Sequence, residues 1–276
     1  MKHILIPTDF SESANYASEF GIEIAKALNF PIRFLHSIQT PVDWSKLNRQ
    51  DEAKYPETKE SIENAKEELK IWEKNAQEKG VEAEHTLIFN TGMDELNNYV
   101  NPEKYELAIM GTHGTKGFEK ILGSNTQKLI RHSKVPVFAI KYKLDLSKLK
   151  KVLIATDLKE ESQRAFEKIY RILEKLKIEI ELVYINTPYN FKETKEIDSM
   201  ANEFLGKSEA KNLKTQHLNA NNEARGIGMA LNKLKPDLFT SITHQRSGFD
   251  TIFSPSITEE IINNYDLPVL SINRAI

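Results

Sequence analysis

The 276-residue chain contains no cysteine. That excludes disulfides, thiolate nucleophiles and sulfur-ligated zinc or iron sites, and it suits a reducing compartment. No apolar run approaches the roughly 20 residues needed to cross a bilayer. The opening MKHILIPTDF turns polar by Thr8, too early for the apolar stretch of a signal peptide. A cytoplasmic protein without a membrane partner is therefore expected. An excess of one charge is lacking too: 38 Lys and Arg meet 40 Asp and Glu, for a net charge of −2. No basic stretch stands out along the chain, so nucleic acid is not an expected partner. The seven histidines are scattered and show no paired ligand spacing. What remains, 39% hydrophobic and 28% charged residues, suits a globular protein. Its length has room for two domains of ordinary size.

The chain does contain a repeat. Residues 3–10, HILIPTDF, return as 151–158, KVLIATDL, with Asp9 matched to Asp157. Residues 106–118, ELAIMGTHGTKGF, return as 237–249, DLFTSITHQRSGF. The run from Val135 to Ile140 returns as Leu267 to Ile272, each with proline second. Three matches in one order indicate duplication, with domains at 1–143 and 149–276. Asp9 and Asp157 lie 148 positions apart but Leu107 and Leu238 only 131, so the first copy carries 17 extra residues between them. The Pro-, Asp- and Lys-rich stretch after residue 40 is the place for the surplus, with Trp44 and Trp72 packing it onto the domain.

Within the first copy, strands are predicted at 3–8, 31–37, 81–89, 106–110 and 136–141. The second copy repeats them near 151–156, 178–186, 212–219, 237–242 and 268–273. Helices alternate with them: one capped near Ser11 with Ala14, Ala17, Phe20, Ile24 and Leu28 on one face, one near 57–79, a short one after Thr91-Gly92, and one near 124–132. Alternation of this kind predicts an α/β protein of two tandem doubly wound, Rossmann-like domains, each a five-stranded parallel sheet with helices on both faces. Ligands of such sheets sit outside the carboxyl ends of the strands. That edge holds Thr8-Asp9 and the loop at 111–124.

The loop is the most informative segment. A glycine just after a strand lets backbone approach a ligand, and Gly123-Ser124 opens a helix whose free N–H groups suit phosphate. Ser124 and Thr126 could add hydroxyl donors. The plain alternative is that these glycines only make turns and a helix start. Asp9 alone, with no second acidic residue beside it, reads better as a pocket-lining or capping residue than as a metal or phosphoacceptor carboxylate.

The stretch IMGTHGTKGFEKILGSNTQKLIRHSKVPVFAI resembles the closing third of universal stress protein domains, and ILIPTDFSESANYA resembles their opening. The resemblance implies a doubly wound fold and, in ATP-binding members, a Gly-x2-Gly-x9-Gly-Ser/Thr loop around the triphosphate. It implies that Pro7, Thr8 and Asp9 line the adenosine end, that Ile38 faces the adenine, and that Met110 lies against base or ribose. Gly111, Thr112, His113 and Gly114 would wrap the phosphates from one side, and Gly123, Ser124 and Asn125 from the other. One departure stands out: eight residues, Thr115 to Leu122, separate Gly114 from Gly123 where the pattern has nine. In the second copy Ile242, Gln245 and Pro255 take the three glycine places, which makes that half degenerate for ATP.

The function so implied is a stress-responsive regulatory protein binding ATP, ADP or AMP in its N-terminal domain, with Mg²⁺ able to accompany the phosphates. Fast turnover is not expected, since no general base or carboxylate pair is evident; slow hydrolysis stays open. A nucleotide-free tandem interaction module with vestigial sites is the alternative. Both copies end on an apolar strand, Val137–Ile140 and Val269–Ile272. Pairing of these two edges into an intramolecular pseudo-dimer, with a further protein partner, is expected.

Overall fold

The computed structural model describes residues 1–90, 99–112, 124–243 and 255–274; the side chains of residues 90, 124, 125, 255 and 256 are also outside it. The first half opens with β1 (His3–Thr8) and α1 (Glu12–Leu28). Ser11 starts α1 because its hydroxyl accepts from the Ala14 N–H at 3.3 Å, and Asn29 ends it in the left-handed conformation. The expected face of α1 is buried, from Ala14 through Phe20 to Leu28. There follow β2 (Ile32–Gln39), α2 (Pro56–Glu78), β3 (Ala83–Asn90), β4 (Tyr105–Gly111), α3 (Ser124–His132) and β5 (Val137–Ile140). The short helix expected after Thr91-Gly92 lies outside the described residues.

The second half repeats the order: β6 (Lys151–Ala155), α4 (Glu160–Lys175), β7 (Glu179–Asn186), α5 (Thr194–Gly206), β8 (Thr215–Asn219), α6 (Glu223–Leu234), β9 (Leu238–Thr243), α7 (Pro255–Asn264) and β10 (Val269–Asn273). The connection from β2 to β3 spans residues 40–82, and the one from β7 to β8 spans 187–214. The longer one packs on the domain through its aromatics: Trp44 is buried with its ring 6.3 Å from Tyr55, and Trp72 meets Phe10 and Phe34 edge-on.

The strands form one ten-stranded sheet, in the order β3-β2-β1-β4-β5-β10-β9-β6-β7-β8. Pairing is parallel within each half. β5 and β10 pair antiparallel, with Val269 opposite Ala139 and Ser271 opposite Val137. The reason is in the sequence: each half ends on a buried, mainly apolar strand whose outer N–H and C=O groups need a partner. Cores on the two faces of the sheet continue across the junction. One contains Phe20, Phe138, Val152 and Phe166, the other Leu5, Val137, Leu153 and Phe239. Over the junction Arg131 of α3 meets Glu259 of α7 in two hydrogen bonds of 2.6 and 2.9 Å. Among the described residues, no helix is long and apolar enough to cross a membrane.

Candidate functional site

The order 3-2-1-4-5 within the first half reverses direction between β1 and β4, which makes the carboxyl ends of those strands the crevice of the fold. β1 pairs with β4 from His3 opposite Tyr105 to Leu5 opposite Ala108. Beyond that point β1 runs on to Thr8 and β4 to Gly111. Pro7 stands where the strands part, and a proline has no N–H to offer a neighbouring strand. The second half differs here. β6 pairs with β9 from Val152 opposite Leu238 to Ala155 opposite Ser241, and Ala155 is the repeat partner of Pro7. The crevice of the first half therefore opens two residues deeper.

The turn at its floor is built identically in both halves. Thr8 Oγ1 accepts from the Phe10 N–H at 2.9 Å and Asp9 Oδ1 from the Ser11 N–H at 3.1 Å. Their repeats do the same: Thr156 Oγ1 from Leu158 N–H and Asp157 Oδ1 from Lys159 N–H, both at 3.1 Å. Phe10 and Leu158 both take positive φ, +60° and +55°. Thr-Asp is thus a turn former first. The two aspartates end in different surroundings. Asp9 is exposed, whereas Asp157 is buried, with Arg274 Nη1 3.9 Å from its Oδ2.

The same contrast holds at the end of the second strand. Ile38 is half-buried at the end of β2, opposite Phe89 of β3. Its repeat partner, Asn186, is buried and bound on every side: Nδ2 donates to Lys192 O and Asn219 Oδ1, and Oδ1 accepts from Lys192 N–H. Asn186 and Arg274 were not singled out from sequence. The repeat alignment of Asn186 with Ile38 was the available signal.

Across the crevice, Met110 is buried in the core shared with Leu5 and Leu35, and Thr112 is buried with its N–H on Ile140 O at 2.9 Å. Gly111 is required by packing: a Cβ there would come within 2.6 Å of the Ser13 backbone and hydroxyl on α1. Thr126, expected as a hydroxyl donor to ligand, donates to the Gly111 carbonyl at 2.9 Å and ties α3 to β4. Thr258 on α7 repeats that tie with Ser241 at 2.7 Å. His113, Gly114 and Gly123 lie outside the described residues, as do the side chains of Ser124 and Asn125 and the degenerate position Gln245.

His36, also missed from sequence, faces Thr8. Its Nδ1 lies 2.7 Å from the Thr8 carbonyl, and its ring centroid is 4.5 Å from that of Phe10. Burial pushes its pKa below the ordinary 6.5, against the pull of the Thr8 carbonyl and of Asp9. Among the described residues no group of three or more His, Cys, Asp or Glu is placed to hold a metal ion.

Fold and crevice together define a doubly wound α/β protein, duplicated in one chain, with an open strand-end crevice in its first copy. The model of the Universal stress protein family matches residues 1–141 and again 148–273, and the chain belongs to that family as a tandem member. It is 28% identical over 142 residues to universal stress protein MJ0531 of Methanocaldococcus jannaschii, covering 51% of this chain and 82% of that one. It is 28% identical over 156 residues to universal stress protein MJ0577 of the same organism, covering 51% and 96%. A crystal structure of a universal stress protein from Archaeoglobus fulgidus superposes with a TM-score of 0.71 at 21% identity, over 99% of this chain and 98% of that one. This last likeness speaks for the fold and shows that a whole tandem chain shares it.

Proposed function

We propose that the chain is a stress-responsive regulatory protein that binds one adenine nucleotide, at the carboxyl edge of its N-terminal half. The observation that supports this most is the early parting of β1 from β4 at Pro7, against the closed pairing of β6 with β9. The described residues fit the nucleoside end of such a ligand. Ile38 offers a half-buried apolar surface for a base, and the exposed Asp9 offers a carboxylate for ribose hydroxyls. Gly111, His113, Gly114 and Gly123 to Asn125 would take the phosphates on backbone N–H groups, with Mg²⁺ as their counter-ion. The protein's part is to bind and orient the nucleotide, sensing or storing it rather than turning it over quickly.

The second half, with Asp157 and Asn186 occupied by its own side chains, serves as a platform. The antiparallel β5–β10 pairing makes the chain an intramolecular pseudo-dimer in this reading, working in the cytoplasm with a protein partner. A nucleotide-free interaction module is the competing reading, favoured by the eight-residue spacing from Gly114 to Gly123.

Calorimetric titration with ATP, ADP and AMP separates the two, alongside a search for nucleotide carried through purification. One site per chain is expected, weakened by Asp9→Ala and by Gly123→Val. Asp157→Ala and Pro255→Ala should leave affinity unchanged within about 0.5 kcal/mol. No heat with folded protein favours the interaction module, and two sites per chain would overturn the assignment to one half.

A further inference from the structure

A groove of about 1500 Å³ lies where the amino-terminal ends of the first half's strands meet α4 of the second half. Lys2 precedes β1, Glu106 is the second residue of β4 and Lys134 precedes β5, so the length of the strands separates this groove from the crevice at Pro7 and Asp9. From the other side α4 lines it with Glu160, Arg164, Glu167, Lys168 and Arg171, a stripe at the three- and four-residue spacing of one helix face. Gly206 at the end of α5 and Lys207, Ser208, Glu209 and Lys211 after it complete the wall. Neither half makes this groove alone.

Its charges do not cancel. Seven cations line it against five carboxylates. Lys207 reaches Glu160 at 3.5 Å, Arg171 reaches Glu209 at 2.7 Å and Glu167 at 3.9 Å, and Lys2 reaches Glu106 at 3.4 Å. Lys134, Arg164, Lys168 and Lys211 are left without an ion pair to any described residue. Arg164 and Lys168 stand one helical turn apart, and Lys168 feels the charges of Glu106, Lys2 and Arg164. Burial pushes the Lys168 pKa down; Glu106 draws it back up, and Lys2 and Arg164 add to the fall. A cleft of excess positive charge between low-dielectric walls concentrates anions. An Arg fork beside Lys point charges matches phosphate oxygens in particular.

We propose that this inter-half groove binds a compact anion carrying two or more phosphate charges, held by Arg164 and Lys168 with Lys2 and Lys134 around it. The site is independent of the nucleotide crevice and stands whether or not that crevice is filled. Glu106 sets its strength, because this carboxylate is the counter-charge the anion competes with.

The test is calorimetry of the full chain at fixed ionic strength with two probes, inorganic tripolyphosphate and a sugar bisphosphate. The tighter probe tells a linear oligophosphate from a phosphorylated metabolite, and one site per chain for either supports the proposal. Arg164→Gln with Lys168→Gln should weaken binding about tenfold or more, with thermal unfolding checked to show that the fold is kept. Glu106→Gln should tighten it, by about threefold. Asp9→Ala and Gly123→Val should leave it unchanged. Absence of heat with both probes, equal affinity for the double variant, or loss of binding on Gly123→Val would each overturn the proposal, the last by moving the anion to the nucleotide loop.

Discussion

Pro7 and Ala155 occupy one position of the repeat, and the difference that bears on strand pairing is the N–H that the proline ring replaces. With it, β6 stays paired to β9 as far as Ala155; without it, β1 leaves β4 after Leu5. Pro7→Ala should therefore let the first half close. The expected result is ATP affinity lowered by about threefold to tenfold by calorimetry. Global stability should stay within about 1 kcal/mol, since a gained ladder bond and a looser unfolded chain oppose each other. Unchanged affinity would mean that Pro7 does not hold the crevice open. His36 makes a second residue-scale prediction. Its folded pKa lies below the unfolded value of about 6.5. Above that pH both states carry the neutral ring. As pH falls, the unfolded chain takes up the proton first, so this contribution is lost as pH falls through the folded value. Urea midpoints measured from pH 7 to pH 5 should fall less steeply for His36→Asn than for the natural chain.

At the scale of elements, α3 matters because it serves both halves. Its first turn is tied to β4 by Thr126, and its last turn to α7 and β10 by Arg131, whose side chain binds Glu259 and whose carbonyl accepts from Asn273. Glu259 is buried, while the Arg131 side chain is half exposed, so water screens the pair in part. Glu259→Ala should cost about 1–2 kcal/mol in urea unfolding. Arg131→Ala in the same background should add little, because the two changes remove one interaction. The crossover helices were legible from sequence because their apolar faces recur at helical spacing, as in α1. The four-residue turn Arg49–Glu52 was not, since it buries no side chain and has no such face.

The whole molecule depends on the β5–β10 junction. Residues 1–143 or 149–276 made alone would each expose an apolar edge strand and the cut face of two cores. Each half is expected to dimerise or precipitate, whereas the two mixed should recombine; sedimentation of each half and of the mixture checks this. Two monomeric, fully folded halves would show that the junction is dispensable.

The sequence by itself determined the duplication, the alternation of strands and helices, the parallel halves and the family, because each is written in local periodicity or in short motifs repeated in order. It also placed Pro7, Asp9 and Ile38 at one edge, since strand ends follow from strand boundaries. Only the tertiary structure decided what those positions do. Gly111 looks like a ligand-approach glycine in the chain but is needed by the backbone of Ser13, a contact between residues nearly a hundred positions apart. Asp9 and Asp157 look alike in their motifs, yet Arg274 reaches only the second. The near-neutral net charge hid the groove as well, because Lys2, Lys134 and Lys168 come together only when two halves close on each other. Periodicity is a property of neighbours along the chain, while a site is made by side chains that folding brings from far apart.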